Sequence, residues 1–229
     1  MTKIQPPGVH LRFGELGAAL EYAACTAALP WLIFSAPKAK GEPVLVLPGF
    51  LADDSSTFLL RSFLSAIGYN VHGWELGRSV GSMTNFLDPL TKRVTELSYE
   101  VDAPIRLLGW SRGGILAREV ARDQPQLIDR VITLGSPVTG GVTATSISEL
   151  AQRHIGVNAE AMAQIMRERN SRPIRVPITA IYSKRDGVVA WQACIDDTNP
   201  DVVHLQVQAT HTGLGGNAEV FRLLGKALI

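Results

Sequence analysis

From Ile105 to Glu119 the chain reads Ile-Arg-Leu-Leu-Gly-Trp-Ser-Arg-Gly-Gly-Ile-Leu-Ala-Arg-Glu: an apolar strand breaks at Gly109-Trp110-Ser111-Arg112-Gly113 and a helical pattern starts at once. A strand that turns directly into a helix can do so only through a very tight bend, and glycines without a Cβ on either side let strand and helix close on it. Ser111 is held out at the tip. The helix behind it aims its first N–H groups, and the positive end of its dipole, at the space beside that serine. The same alternation organises the chain from residue 42 onward. Short apolar runs predict strands at 43–47, 69–74, 104–109, 129–135, 176–183 and 202–208, and 3.6-residue periodicity predicts helices at 55–67, 83–99, 112–124 and 216–228. Strands alternating with helices imply right-handed crossovers and an α/β architecture: a mostly parallel sheet of about six strands with helices on both faces.

The pentapeptide around Ser111 is not decisive alone. With 21 glycines in 229 residues, Gly-x-Ser-x-Gly arises by chance in roughly one such chain in nine. An acid and a histidine that follow in order change the weight. The strand pattern of Val176 to Ser183 breaks into a turn at Lys184-Arg-Asp-Gly187, which puts Asp186 just past a strand end. Val202 to Gln208 form another strand, followed by Ala209-Thr-His-Thr-Gly-Leu-Gly215, which puts His211 just past a strand end in a glycine-rich loop. In parallel sheets functional groups gather at the carboxyl ends of strands, and three separate strand ends deliver Ser, Asp and His there. Asp196, Asp197 and Asp201 also follow the serine but sit in a polar loop before the last strand, so Asp186 is the preferred acid.

These stretches, with Val44-Leu-Val-Leu-Pro-Gly-Phe50 and Trp74-Glu-Leu-Gly-Arg-Ser-Val-Gly81, resemble the α/β-hydrolase superfamily, most nearly its bacterial lipase- and esterase-like members, over about residues 42–229. The chain order Ser, Asp, His is the one that fold uses. The resemblance implies a serine hydrolase acting on carboxylic esters through an acyl-enzyme on Ser111, with His211 as base, Asp186 as its partner, and the amides of Phe50 and Arg112 as oxyanion hole. It implies no metal or organic cofactor. Where the family often has His-Gly, this chain has Pro48-Gly49, which loses a side chain but keeps the glycine and the donor after it. An acyltransferase or thioesterase could use the same three residues. A noncatalytic binding protein of the same fold has no need to keep all three.

Composition narrows the partners. A net charge of +1 without a basic run offers no concentrated positive surface, so nucleic acid is not expected; a small-molecule or lipid ester is. Cys25 and Cys194 have no zinc-like spacing and are expected as buried thiols. The amino terminus shows no signal pattern, which predicts a cytoplasmic protein. Oligomeric state is not legible.

Residues 1–41 are expected as an irregular arm (1–13) followed by the apolar stretch 14–36. Glu15 and Glu21 interrupt that stretch and Pro30 is expected to break its helical ladder, which disfavours a membrane span. A helix packed on the sheet or beside the site is the plain reading, and contact with a membrane surface the alternative. Residues 138–172 exceed a simple connection and are expected as a small helical lid over Ser111. Its apolar members Leu150, Ile155, Val157, Met162, Ile165 and Met166 would face the pocket, with Leu150, Ile165 and Met166 as candidate substrate contacts. Arg78 is expected to stabilise the loop after its strand. Trp74 and Trp110 are expected to pack, Ser55, Ser56 and Ser136 to start turns or helices, and His72 to be a structural histidine. His10, His154 and His204 show no partner pattern and are expected in solvent.

Overall fold

The computed structural model describes residues 4–155 and 159–228. One six-stranded sheet contains β1 (Pro43–Leu47), β2 (Asn70–Gly73), β3 (Ile105–Trp110), β4 (Ile128–Leu134), β5 (Ile178–Ser183) and β6 (Val202–Val207). The strand order is β2-β1-β3-β4-β5-β6, and every neighbouring pair is parallel. Each strand lies within two residues of its predicted span. β1 is buried at every position, as a strand covered on both faces must be.

The helices are α1 (Val9–Gly14), α2 (Ala18–Ser35), α3 (Phe58–Ala66), α4 (Thr84–Val101), α5 (Arg112–Asp123), α6 (Ser148–Ile155), α7 (Ala159–Asn170) and α8 (Ala218–Ala227). On one face α3 and α8 bury Phe63 against Phe221, with ring centroids 4.8 Å apart, and α2 adds Cys25 and Leu32 to the same core. On the other face α4 and α5 bury Leu90, Val94, Leu97, Leu116 and Val120 with Trp74. The chain leaves β1 towards the β2 edge and then returns past β1 to β3. That reversal opens a crevice at the carboxyl ends of β1 and β3, the place where such sheets bind ligands.

Two expectations for the amino-terminal segment do not hold. The arm expected to be irregular contains α1, joined to α2 by a single 3₁₀ turn, Glu15–Gly17. Nor does Pro30 break the helix: α2 runs through it to Ser35. A proline removes one hydrogen bond, here to the carbonyl of Thr26, and packing of Cys25, Leu32 and Leu29 against α3 and α8 outweighs that loss.

The insertion between β4 and β5 carries a 3₁₀ turn (Gly141–Ala144), an isolated bridge from Thr145 to Val189, and then α6 and α7. Its return end is pinned to α5. Arg169 pairs with Glu119 and, at 2.6 Å, with Asp123; Asn170 Nδ2 donates to the Val138 carbonyl at 2.9 Å.

Candidate active site

Ser111 joins β3 to α5 with φ 54° and ψ −118°, a left-handed conformation that costs a non-glycine residue about 1–3 kcal/mol and persists only where the surroundings impose it. A Cβ on Gly113 would stand 2.5 Å from the Leu47 carbonyl oxygen, and one on Gly109 would run into the backbone of Gly113 and Gly114. The bend is therefore packed between two strands and its own helix, and only glycine fits on either side. Arg112 is the first residue of α5, so its N–H has no carbonyl within the helix to bond. Ser111 Oγ makes no hydrogen bond among the described residues.

Asp186 follows β5 and His211 follows β6, and the two meet. His211 Nδ1 donates to Asp186 Oδ2 at 2.6 Å, and Asp186 Oδ1 accepts the amides of Val188 and Val189 at 2.9 and 2.6 Å. Both residues are buried. The imidazole lies beside Trp110, the neighbour of Ser111, with centroids 6.3 Å apart. Burial by itself would lower the His211 pKa, but the charge and hydrogen bond of Asp186, with a further contribution from Glu15, raise it above the ordinary histidine value of 6.5. Asp196 is occupied elsewhere: it pairs with buried Arg118 at 2.7 Å, which brings its pKa down to about 2 against the cost of burial.

Two acids that look like interruptions in the apolar segment have a definite use. Glu15 Oε1 accepts the amides of Gly187 and His211, each at 2.8 Å, and Oε2 accepts that of Thr212 at 2.9 Å. One carboxylate thus clamps the loop of the acid to the loop of the histidine. Glu21 accepts the Thr210 amide and Asn217 Nδ2, both at 2.9 Å. Neither role is visible from local pattern; the only sequence signal is a pair of acids six residues apart in an otherwise uncharged stretch.

The loop after β1 approaches from the other side. A Cβ on Gly49 would lie 3.5 Å from that of Ser111, and Phe50 N–H has no partner among the described residues. The loop is tied to the segment after β2: Leu51 N donates to Ser79 O at 2.9 Å, Ser79 N to Ala52 O at 2.8 Å, and Arg78 Nε to Leu51 O at 2.8 Å. Arg112 is inserted among these elements. Its guanidinium lies 5.6 Å from the Phe50 ring centroid and 5.2 Å from that of Phe86, and Nη1 donates to Ser79 O at 3.3 Å. Burial lowers its pKa to about 10, so it remains a cation at neutral pH, stacked between two rings.

Ser111 opens into an apolar cleft whose walls include Phe50, Met83, Ile115, Val142, Ile147 and Ala151. The insertion contributes Val142, Thr145, Ile147 and Ala151 to these walls, not the side chains expected. Leu150 and Ile165 are 40% and 45% exposed and do not line the cleft. Ile147, the residue before α6, and Ala151, whose N–H bonds to the Ile147 carbonyl at 2.9 Å, turn inward instead, and Leu150 sits round the helix from Ala151. The side chains of Ile155, Met162 and Met166, and Val157 altogether, lie outside the described residues. His154 is exposed, as expected, and stands edge-on to Phe50 at 6.1 Å; His204 is half-buried and its Nε2 accepts the Asp196 amide at 3.0 Å. Both cysteines are buried free thiols.

No family model and no curated protein sequence matches the chain. Solved structures do. The mature Bacillus licheniformis lipase BlEst2 is similar at a TM-score of 0.68 and 14% identity, over 85% of this chain and 94% of that one. An α/β-hydrolase enzyme from a sediment metagenome of the Mar Chica lagoon, Morocco, matches at 0.59 and 21%, over 82% and 90%. A thioesterase domain from the curacin biosynthetic pathway matches at 0.55 and 18%, over 84% and 93%. Strand order, the reversal between β1 and β3, and these likenesses lead to one conclusion: the chain has the α/β-hydrolase fold.

Proposed function

We propose that the protein is a serine hydrolase that cleaves carboxylic esters with apolar acyl chains through an acyl-enzyme on Ser111. The observation that carries this is the buried Asp186–His211 pair, held at 2.6 Å, whose imidazole lies 6.3 Å from the ring of Trp110, the residue before a conformationally forced serine. With Nδ1 committed to Asp186, Nε2 of a neutral imidazole is free to accept a proton. Ser111 Oγ rotates to reach it, loses its proton and attacks the acyl carbonyl. The amides of Phe50 and Arg112 receive the oxyanion, and His211 passes the proton to the departing alcohol. Water, deprotonated by His211 in turn, releases the acid. Asp186 keeps the tautomer and stabilises the imidazolium.

The apolar cleft beside Ser111 supports an acyl chain as the recognised part. Burial is worth about 0.8 kcal/mol per methylene, so kcat/KM should rise roughly three- to fourfold per carbon until the cleft is full. The test is a series of nitrophenyl esters of increasing chain length, run beside acyl-thioesters of the same chains. A rising series on oxygen esters supports the reading. Turnover of thioesters alone would replace it with a thioesterase, and no turnover of either would refute it.

A further inference from the structure

The helical run Val9–Ser35 turns one side to the catalytic loops and the other to solvent. On the outward side Val9, Phe13, Leu16, Leu20, Trp31 and Phe34 remain 61–81% exposed. At about 100° per residue, Leu20, Trp31 and Phe34 of α2 fall within an arc of roughly 60°, and Val9 and Phe13 of α1 lie about 40° apart. At on the order of 100 Å² each, the six alone reach the top of the range of about 300–600 Å² for the largest apolar patch on an ordinary monomer. Exposed alanines at Ala23, Ala24 and Ala27 widen the patch.

Between Phe13 and Pro37 the only charged side chains are Glu15 and Glu21, and both are turned inward onto the loops of Gly187 and Thr210 to Asn217. The exposed hydroxyls of Thr26 and Ser35 donate to the carbonyls of Tyr22 and Trp31, each at 2.8 Å, and so make no demand on water. Cations stand at the two ends: Arg12 before the patch, Lys38 and Lys40 after it, all exposed.

A pairing helix from a second copy would cover a narrow seam bordered by charged positions; here the flanks carry alanine, threonine and Pro30 and no charge. A lipid surface covers a half-cylinder and rewards cations at its margin. Crossing a bilayer would require both carboxylates to leave five N–H donors, at a cost of several kcal/mol, so the run must lie flat. We propose that the outward face of Val9–Ser35 docks the protein on an anionic lipid surface. This goes beyond the hydrolase reading and does not depend on it.

The test is co-flotation of the full chain with phosphatidylcholine vesicles, with and without phosphatidylglycerol. The wild type should float with the anionic vesicles. Replacing Leu16, Leu20 and Phe34 together by serine should weaken partition by about a hundredfold or more. Lys38→Gln with Lys40→Gln should weaken it by about thirtyfold. All five side chains are exposed, so the melting temperature should hold. Should the triple variant fail to fold, quenching of wild-type tryptophan fluorescence by brominated lipid, abolished in Trp31→Phe, decides instead. Absence of flotation, or flotation unchanged in a folded triple variant, would overturn the proposal. So would a dimer in solution that the triple variant abolishes while vesicles bind neither. None of these readouts involves turnover, so loss of the hydrolase reading leaves them intact.

Discussion

Replacing Glu15 by glutamine removes one charge and one acceptor at the junction of the loops that carry Asp186 and His211. In the wild type, the carboxylate takes three amide N–H groups at 2.8–2.9 Å, from Gly187, His211 and Thr212. A glutamine oxygen can keep the first two as neutral hydrogen bonds. Its NH₂ then faces the Thr212 N–H, donor against donor. Losing one charge-assisted bond, worth about 1.5–3 kcal/mol, and weakening two others gives a destabilisation of about 3 kcal/mol. For a domain of this size that is a fall in melting temperature of roughly 6–12 °C. The charge also acts on catalysis, since Glu15 is one of the groups that raise the His211 pKa. Without it that pKa drops, neutral imidazole is available at lower pH, and the acid limb of kcat/KM moves downward. Thermal melting and a pH–rate profile on a short soluble ester read both effects, with kcat falling more than KM changes. A Glu15→Gln protein with the wild-type melting temperature and an unmoved limb would refute the bracing role; Glu15→Asp, which keeps the charge, should keep the limb.

Other substitutions separate residues that the sequence leaves in competition. Asp186→Asn should lower kcat by about four powers of ten with little change in fold, by favouring the wrong His211 tautomer. Asp196→Asn should leave kcat of the folded protein unchanged but cost about 3–5 kcal/mol in denaturant unfolding, because it strands Arg118 in the interior. The Arg118–Asp196 pair also sets an acid limit: with the Asp196 pKa at about 2 against an ordinary 3.8, its stabilisation is complete above the ordinary value and lost as pH falls through about 2, which acid titration of unfolding would follow. Ala151→Leu should shorten the longest acyl chain hydrolysed well, whereas Leu150→Ser and Ile165→Ser should leave the chain-length profile as it is; the ester series reads all three.

The sheet and the three catalytic candidates were legible because both depend on local pattern. Strands covered on both faces are continuous apolar runs such as Val44 to Leu47, and Ser111, Asp186 and His211 each stand where such a run ends in a glycine-containing turn. The remainder depends on contacts distant in sequence. Glu15 and His211 are 196 residues apart, and no periodicity links them. Asp196 shows its purpose only when Arg118 is seen beside it. Pro30 is tolerated because α2 is held by its neighbours and not by its own ladder. In and before α6, apolar character alone pointed to Leu150 as an inward residue, but the direction of the helix decides, and Ile147 with Ala151 lines the cleft instead.

The proposed reaction requires Ser111 to be a nucleophile activated by His211. A fluorophosphonate, which reacts with an activated serine and leaves a stable adduct, tests it most directly. Intact mass and peptide mapping should show one adduct per chain, on Ser111, absent in Ser111→Ala and formed far more slowly in Asp186→Asn and His211→Ala. A folded wild-type protein that stays unlabelled, or carries the adduct on another residue, would contradict it.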